Sequence, residues 1–569
     1  MKKLNKYLSN PVLAACLVLV LVSASCKKAK FDPVIDNRAV TDARKNSTVR
    51  IVNLGSYSQL QVNGDTLTNY VIRDKNGPLF DSYPATKYFP TNGRLSTTWG
   101  IPQALLNNGA AKFIAETSGY QETPTKVEFS VQENAQQPVD YYLLPSQAYM
   151  QVTGLPAYLK VPRSIAPAAD ASHFKIRLLN LAGTVNKDPR LENLVGPLTL
   201  TWADGTPVSS QTSNIAPGTY SEYIDLPYTT AQLKVLTTSG LQIPGYESTL
   251  VLNPVNSDIV HSPGLYYVPI KTYAPGGVYT MVVTPRKYNV PLAGTTTDET
   301  TLANQNSLRL IADISEPVNV TYFRMQAVNT LPGVNGVKIL VNGKTLGAAI
   351  DYTAHTDYDT FIIGQYDIQA VNASGTVLAS TKVKAEANSN YTLWLNLGAD
   401  GKPALAAVAN DLSGTLVTNA TDDATYARYS NEFSFSMRFL NLSPDVPYLT
   451  LTTDNAQDFV SQYGFDTGAV TNLQPGKVPI ELPYVRAGFD AKPYQIMAFR
   501  SKPTVVPGTW ASDVPVINSK DLIARPALYV KGVLPNHEAG FYTIALVGKT
   551  GAQASAADKA KMIIVKHSK

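Results

Sequence analysis

One motif recurs four times at domain-sized intervals, and it constrains the fold more than any other feature of the chain. The segments are Val49-Arg50-Ile51-Val52-Asn53-Leu54, Ile176-Arg177-Leu178-Leu179-Asn180-Leu181, Phe323-Arg324-Met325-Gln326-Ala327-Val328-Asn329 and Met437-Arg438-Phe439-Leu440-Asn441-Leu442. In each, an arginine precedes apolar residues and an asparagine closes the run, the third run being longer. Solenoids repeat every ~20–45 residues; the starts at 49, 176, 323 and 437 are spaced far more widely. Each repeat is therefore the size of a small domain, and a chain of 569 residues is too long for one core.

Each opening leads into segments that read as further strands. Leu60-Gln61-Val62-Asn63-Gly64 and Val337-Lys338-Ile339-Leu340-Val341-Asn342-Gly343 alternate and then reach Asn-Gly, a tight-hairpin signal. Leu198 to Gly205 ends in Asp-Gly, and Leu449 to Asn455 in Asp-Asn. Two repeats share a Pro-Gly turn, in Asn214-Ile215-Ala216-Pro217-Gly218 and Asn472-Leu473-Gln474-Pro475-Gly476. A tyrosine-bearing strand comes late in every repeat, at Tyr141, Tyr279, Tyr391 and Tyr542. Short closing strands are expected at Leu308 to Ile311, Ala404 to Val408 and Met562 to Val565. Thr, Tyr and Val suit a pleated surface, and 38 Pro with 36 Gly punctuate turns. Helical periodicity is confined to Ser555 to Lys561, where a turn or two is expected.

The fold class is all-β: tandem antiparallel β-sandwich (Ig-like) domains. The expected organisation is a lipoprotein signal peptide over 1–25 and a flexible tether over 26–46. Four sandwich repeats come next, over 47–166, 172–316, 320–413 and 432–569. They are joined by polar linkers near Pro162 to Ser172, around Pro317-Val318-Asn319, and across Gly414 to Asn431.

The first residues carry an address. Lys2, Lys3 and Lys6 precede an apolar run from Pro11 to Val22, then Ser23-Ala24-Ser25 and Cys26. That is a secretory layout with an apolar core short for a bilayer. Small residues before Cys26 suit a lipoprotein signal peptidase, and the segment resembles a bacterial lipobox, which implies lipidation of Cys26 and anchoring to a membrane through several acyl chains. Leu13-Ala14-Ala15-Cys16 is the alternative, but cleavage there leaves Leu17 to Val22 exposed. No cysteine follows Cys26, which excludes disulfides, thiolate metal centres and cysteine nucleophiles from the remainder. The net charge of +5 is scattered, so no nucleic-acid partner is expected.

The strand Arg438-Phe439-Leu440-Asn441-Leu442-Ser443-Pro444-Asp445, with its following alternating strand, Pro-Gly turn and late Gly540-Phe541-Tyr542-Thr543-Ile544, resembles the DUF4397 family. The fourth repeat carries the resemblance best, the third (with Leu331-Pro332-Gly333) moderately, the first two more loosely. The resemblance implies β-sandwiches on secreted or surface proteins, here a surface lipoprotein of Bacteroidota type. It implies no activity, so no functional residue carries over.

Candidate chemistry is sparse. His173, His261, His355, His537 and His567 lack metal-ligand spacing and read as surface or structural residues. Asp357, Asp359 and the pair Asp422-Asp423 fall short of a calcium loop. No phosphate loop or serine elbow is present, so no catalytic residue, metal or cofactor is assigned. Trp202 and Trp394 lie in apolar strands and belong to cores, whereas Trp99 and Trp510 lie in Gly/Pro-flanked loops as candidate ligand-binding residues. The tyrosines Tyr279, Tyr391 and Tyr542 read as structural, ring in the core and hydroxyl at the rim. The leading expectation is a non-catalytic outer-membrane lipoprotein, exposed at the cell surface, with a binding, adhesion or structural role. A glycan-binding accessory of a polysaccharide uptake system stands second, and a hydrolase third. Partners are then the membrane and a glycan or envelope protein.

Overall fold

The computed structural model describes residues 45–69, 85–117, 125–145, 155–184, 193–245, 270–291, 300–398, 400–412, 435–459, 467–478, 484–485, 493–528, 537–538, 540–551 and 554–569. The fold is all-β, with 51% of the described residues in strands, and the helical segments among them are single 3₁₀ turns. Ser555 to Lys561 is not helical: Asp558 N–H returns to Ser555 O at 3.0 Å in a turn, and Lys559 bridges to Lys549.

Sheets fall into four sets, each enclosing one apolar cluster. In the first unit one sheet runs Thr98–Pro102, Asn46–Asn53, Val139–Leu143, Tyr158–Pro162; the facing sheet runs Asp65–Thr66, Gln59–Val62, Ala110–Glu116, Lys126–Gln132. The third unit repeats this plan with Asp359–Ile362, Tyr322–Asn329, Asn390–Leu397, Pro403–Ala409 over Lys344–Ile350, Val337–Val341, Gly364–Val371, Val377–Ala385. The fourth does so with Tyr484–Val485, Phe435–Asn441, Gly540–Val547, Lys561–Lys566 over Leu449–Thr453, Gln495–Lys502, Val505–Trp510. In the second, Thr219–Tyr220 and Ile224–Pro227 pair end to end along one edge of His173–Asn180, whose other edge is taken by Val278–Pro291 and then Thr300–Ala312. The expected closing strand at Leu308 to Ile311 is thus part of a long hairpin.

One departure from a purely antiparallel sandwich recurs in all four. The opening strand pairs in parallel with the tyrosine strand: Asn46–Asn53 with Val139–Leu143, His173–Asn180 with Val278–Pro291, Tyr322–Asn329 with Asn390–Leu397, Phe435–Asn441 with Gly540–Val547. Parallel neighbours need a long crossover. The facing sheet supplies it, because its strands lie between the two in sequence.

Hairpins obey the turn chemistry. Asn63-Gly64 and Asn342-Gly343 both have positive φ at both residues (48° and 95°; 48° and 80°), which favours Asn-Gly. The two Pro-Gly turns dock on the motif asparagine: Gly218 N–H donates to Asn180 O and Gly476 N–H to Asn441 O, each at 2.8 Å.

The asparagine is a clamp on the core side of the opening strand. Asn180 Nδ2 donates to Gly196 O and Ile215 O, and Asn441 Nδ2 to Val446 O and Leu473 O, at 2.7–2.9 Å. Their Oδ1 atoms accept N–H groups two residues on, at Ala182 and Ser443. Asn180→Ala would strip Gly196 O and the Ala182 N–H of their Asn180 side-chain bonds inside a packed unit, while Ile215 O would keep the Leu198 N–H. A buried orphaned group costs ~1–3 kcal/mol, so a loss of about 2–3 kcal/mol is expected in denaturant titration of the variant.

Candidate functional site: two seams and a joint between units

The units are not independent beads. In the opening strands, alternate residues enter different cores. Val49 and Ile51 belong to the first unit's own cluster, whereas Val52 and Tyr142 pack with Leu179, Leu181, Val282 and Ile311 of the second unit. Likewise Phe323, Met325, Met437 and Phe439 fill their own units, whereas Val328, Trp394 and Val408 pack against Leu440, Leu442, Ala545 and Val565. A strand buried on both faces reads as a nearly continuous apolar run, which is why the motif does not alternate. The first and second units, and the third and fourth, thus meet back to back along two seams.

Three of the motif arginines, Arg50, Arg177 and Arg438, point into these seams. Arg50 forks onto Asp140 (Nε–Oδ1 3.0 Å, Nη2–Oδ2 2.6 Å) and reaches across to Asp313 Oδ1 at 2.8 Å and Ala312 O at 2.6 Å. Arg163 adds an ion pair to Asp140 at 2.9 Å and a bond to Asp313 O at 2.8 Å. In return Arg177 donates to Thr280 Oγ1 at 2.9 Å and to Pro162 O at 2.7 Å, with Tyr223 stacked 4.5 Å from its guanidinium. Pro162 and Arg163, expected in a linker, therefore belong to the seam.

Both aspartates are buried. Burial, with Asp140 nearby, pushes the Asp313 carboxyl up despite the 2.6 Å bond from Thr280 and the arginines. Burial works against the Arg50 charge, but Asp140 and Asp313 outweigh it and raise its pKa.

Strand register shows how the third unit differs. Arg177 and Arg438 lie opposite Thr280 and Thr543, one residue after the pairs Ile176–Tyr279 and Met437–Tyr542. In the third unit Met325 pairs with Tyr391, so the residue opposite Thr392 is Gln326, not Arg324. The longer third run has two extra residues between arginine and asparagine, an even number that keeps both on their usual faces. Gln326 takes the seam position, donating to Thr392 Oγ1 and lying 3.0 Å from His567 Nδ1 of the fourth unit. Arg438 reciprocates, bonding Ala409 O at 2.7 Å, Asn410 Oδ1, and Thr543 Oγ1 at 3.1 Å.

Arg324, displaced along the strand, makes a joint to the second unit instead. It contacts Asn390 at 2.6 Å, Thr229 at 3.2 Å and Thr230 at 3.0 Å, with Tyr228 and Tyr358 stacked 4.9 and 5.0 Å away. The last residue continues this joint: Lys569 N–H donates to Thr230 O, Gln232 N–H donates to Lys569 O, and the Lys569 ammonium lies 4.9 Å from the Trp202 ring. Trp202, expected in a core, follows the strand Leu198–Thr201 and packs, half-buried, against the second unit's core with that lysine over its ring.

Beside it Lys234 Nζ meets Glu538 Oε1 at 3.0 Å, both buried, with Lys566 3.5 Å from the other oxygen. Burial lowers the Lys234 pKa; burial raises that of Glu538, but Lys566 and Lys234 more than reverse it.

The aromatic candidates part company. Trp99 is not in a loop: it sits on the strand Thr98–Pro102, half-buried against the first core, 5.1 Å from Phe89 and 6.5 Å from Phe113. Pairing of Thr98 to Gly100 with the opening strand holds it there. Trp510 ends the strand Val505–Trp510 and is 48% exposed, opposite Phe499. The structure does not bring the two together in one unit. Trp394 is wholly buried, but in the seam between units.

Tyr279 and Tyr542 are buried, with the Tyr542 hydroxyl donating to Glu538 O at 3.0 Å; Tyr391 is half-buried. His537 and His567 are buried, His173 is half-buried and His355 exposed; His261, Cys26 and Asp422-Asp423 lie outside the described residues. Asp357 and Asp359 are exposed. Among the described residues no group of three or more His, Cys, Asp or Glu is placed to hold a metal ion.

Comparison with known families identifies one segment. Residues 324–421 are a DUF4397 domain, a domain of unknown function. The match starts at Arg324 and covers the third unit, whereas the sequence pattern pointed most strongly to the fourth. In the third unit Val337–Val341 turns directly into Lys344–Ile350, whereas in the fourth the strands Leu449–Thr453 and Gln495–Lys502 are far apart in sequence. Comparison with curated proteins gave no match.

Sequence reasoning missed the seam residues Asp140, Asp313, Asn410 and His567 as partners of the motif. The signal available was the absence of alternation in the opening strands together with an arginine inside them.

Proposed function

We propose that the chain is a non-catalytic cell-envelope lipoprotein, held to an outer membrane through Cys26 and presenting its block of β-sandwich units at the cell surface. Its role in this reading is binding, adhesion or structural support. The observation that carries it is where the sheltered charges are placed: the buried Asp313, Arg324, Arg438, Lys234 and Glu538, and the largely covered Arg50, each bond from one unit to another. Such joints suit a part that transmits or resists load as one body. The DUF4397 match accords with this reading, as does the secretory layout before Cys26.

Membrane fractionation with labelled fatty acid tests the anchor. Wild-type protein is expected in the membrane fraction carrying label, and Cys26→Ser is expected to be unlabelled and released. Unlabelled wild-type protein would refute the anchor, and resistance to protease on intact cells would refute surface display.

A glycan-binding accessory role is the second reading, favoured by the half-exposed indole of Trp510. Aromatic faces stack on apolar sugar faces, and an exposed Trp costs little to replace. Trp510→Ala is therefore expected to abolish glycan retention on an affinity gel while shifting stability by no more than about 0.5 kcal/mol. Unchanged migration of wild type on every glycan tried would remove this reading.

A further inference from the structure

The two seams are built alike but are held by different chemistry. Between the first and second units, the buried ionisable groups in contact are arginines, aspartates and tyrosines. At the equivalent place between the third and fourth, the residue that follows the last strand is His567. Its Nε2 lies 2.7 Å from Thr543 Oγ1 in its own unit. Its Nδ1 faces the third unit, 3.0 Å from Gln326 Nε2 and 3.1 Å from the Tyr358 hydroxyl. The Tyr358 oxygen already accepts from Asn410 Nδ2 at 2.8 Å, so its own proton is free for the imidazole. Nδ1 is thus an acceptor set between two donors, and the ring is neutral with its proton on Nε2.

We propose that the seam between the third and fourth units is an acid-sensitive latch whose protonation point is His567. A second proton on Nδ1 would face an amide N–H and a hydroxyl whose oxygen already accepts from Asn410, so neither group could keep the bond it now donates. Both contacts across the seam at this residue would have to rearrange together.

The charged surroundings act the same way. Arg438 shares Thr543 with the imidazole, and Arg324 stacks on the other partner, Tyr358. His355 also weighs against a proton, Tyr484 packs beside Arg438, and neither Arg324 nor Arg438 forms an ion pair with a carboxylate among the described residues. Of the acidic residues flanking Tyr358 and Asn410, Asp357 and Asp359 are exposed, and Asp411 gives its backbone N–H to the Tyr484 hydroxyl at 2.9 Å. Burial first, then Arg438 and His355, holds the His567 pKa well below its ordinary 6.5. An opened seam therefore binds the proton first. The stabilising effect is complete above the ordinary value and is lost progressively as pH falls below it. Opening would also loosen the Lys569 contact with Thr230 and Gln232, two residues further along.

Hydrogen exchange on the full folded chain, corrected for intrinsic rates, tests this at about pH 7.5 and about pH 5, on either side of ordinary histidine titration. Protection in Pro403–Ala409 and Lys561–Lys566 should fall at least about tenfold at the lower pH, one pKa unit of linkage. The strands Asn46–Asn53 and His173–Asn180, in the other seam of the same molecule, should hold theirs. His567→Gln, neutral at both pH values, should lose the difference, whereas His537→Gln should keep it. Equal protection at both pH values, equal loss in both seams, or an undiminished response in His567→Gln would each overturn the proposal. The comparison of the two seams in wild-type protein needs no variant to fold.

Discussion

Arg50→Ala is expected to cost about 3–5 kcal/mol, the size seen when one partner of a buried ion pair is removed. The substitution leaves two carboxylates, neither exposed, where there had been a forked guanidinium between them. Asp140 retains Arg163 at 2.9 Å, but Asp313 keeps only the hydroxyls of Thr280 and Tyr223 as side-chain partners. Its carboxyl is already pushed up, so in the variant it takes a proton more readily, which limits the loss and makes it depend on pH. Loss should be greatest where both aspartates are ionised and should shrink as acid protonates Asp313. Denaturant titration of wild type and variant at two pH values checks both the size and the trend.

Trp394→Ala should cost a similar amount by a different route. The indole is fully buried among Val328, Val408, Leu440, Leu442 and Ala545, and large-to-alanine changes of this kind cost about 3–5 kcal/mol, transfer and cavity together. Its Nε1 has no hydrogen-bond partner among the described residues, so no polar contact with them is lost. The consequence falls on the pairing of the third and fourth units, since none of those side chains belongs to the main cores. Exchange protection in the seam-facing strands is therefore expected to drop further than that of Val337–Val341, which lines a core alone.

Much of the strand order could be read from residues. The Asn-Gly and Pro-Gly turns, the tyrosine strands and the opening strands lie where their chemistry places them, because each depends on local φ preferences or short alternating runs. Pairing between units was not legible, because nothing local distinguishes a strand buried by its own facing sheet from one buried by a neighbour as well. The clue was Val52 beside Ile51 and Leu179 beside Leu178, apolar on both faces at once. Trp99 misled for a related reason: flanking Gly100 and Pro102 looked like a loop, but edge strands tolerate both residues. Gln326 could not be recognised as the seam residue without register, since matching arginine to arginine shifts the third unit by two positions.

Arg50 works between units. A double-mutant cycle on Arg50 and Asp313, residues of the first and second units, measures this directly. With Asp313→Ala as the second arm, the account predicts a coupling of at least about 1.5 kcal/mol, as for close charge pairs. Additivity within about 0.5 kcal/mol, the behaviour of separate sites, would contradict it.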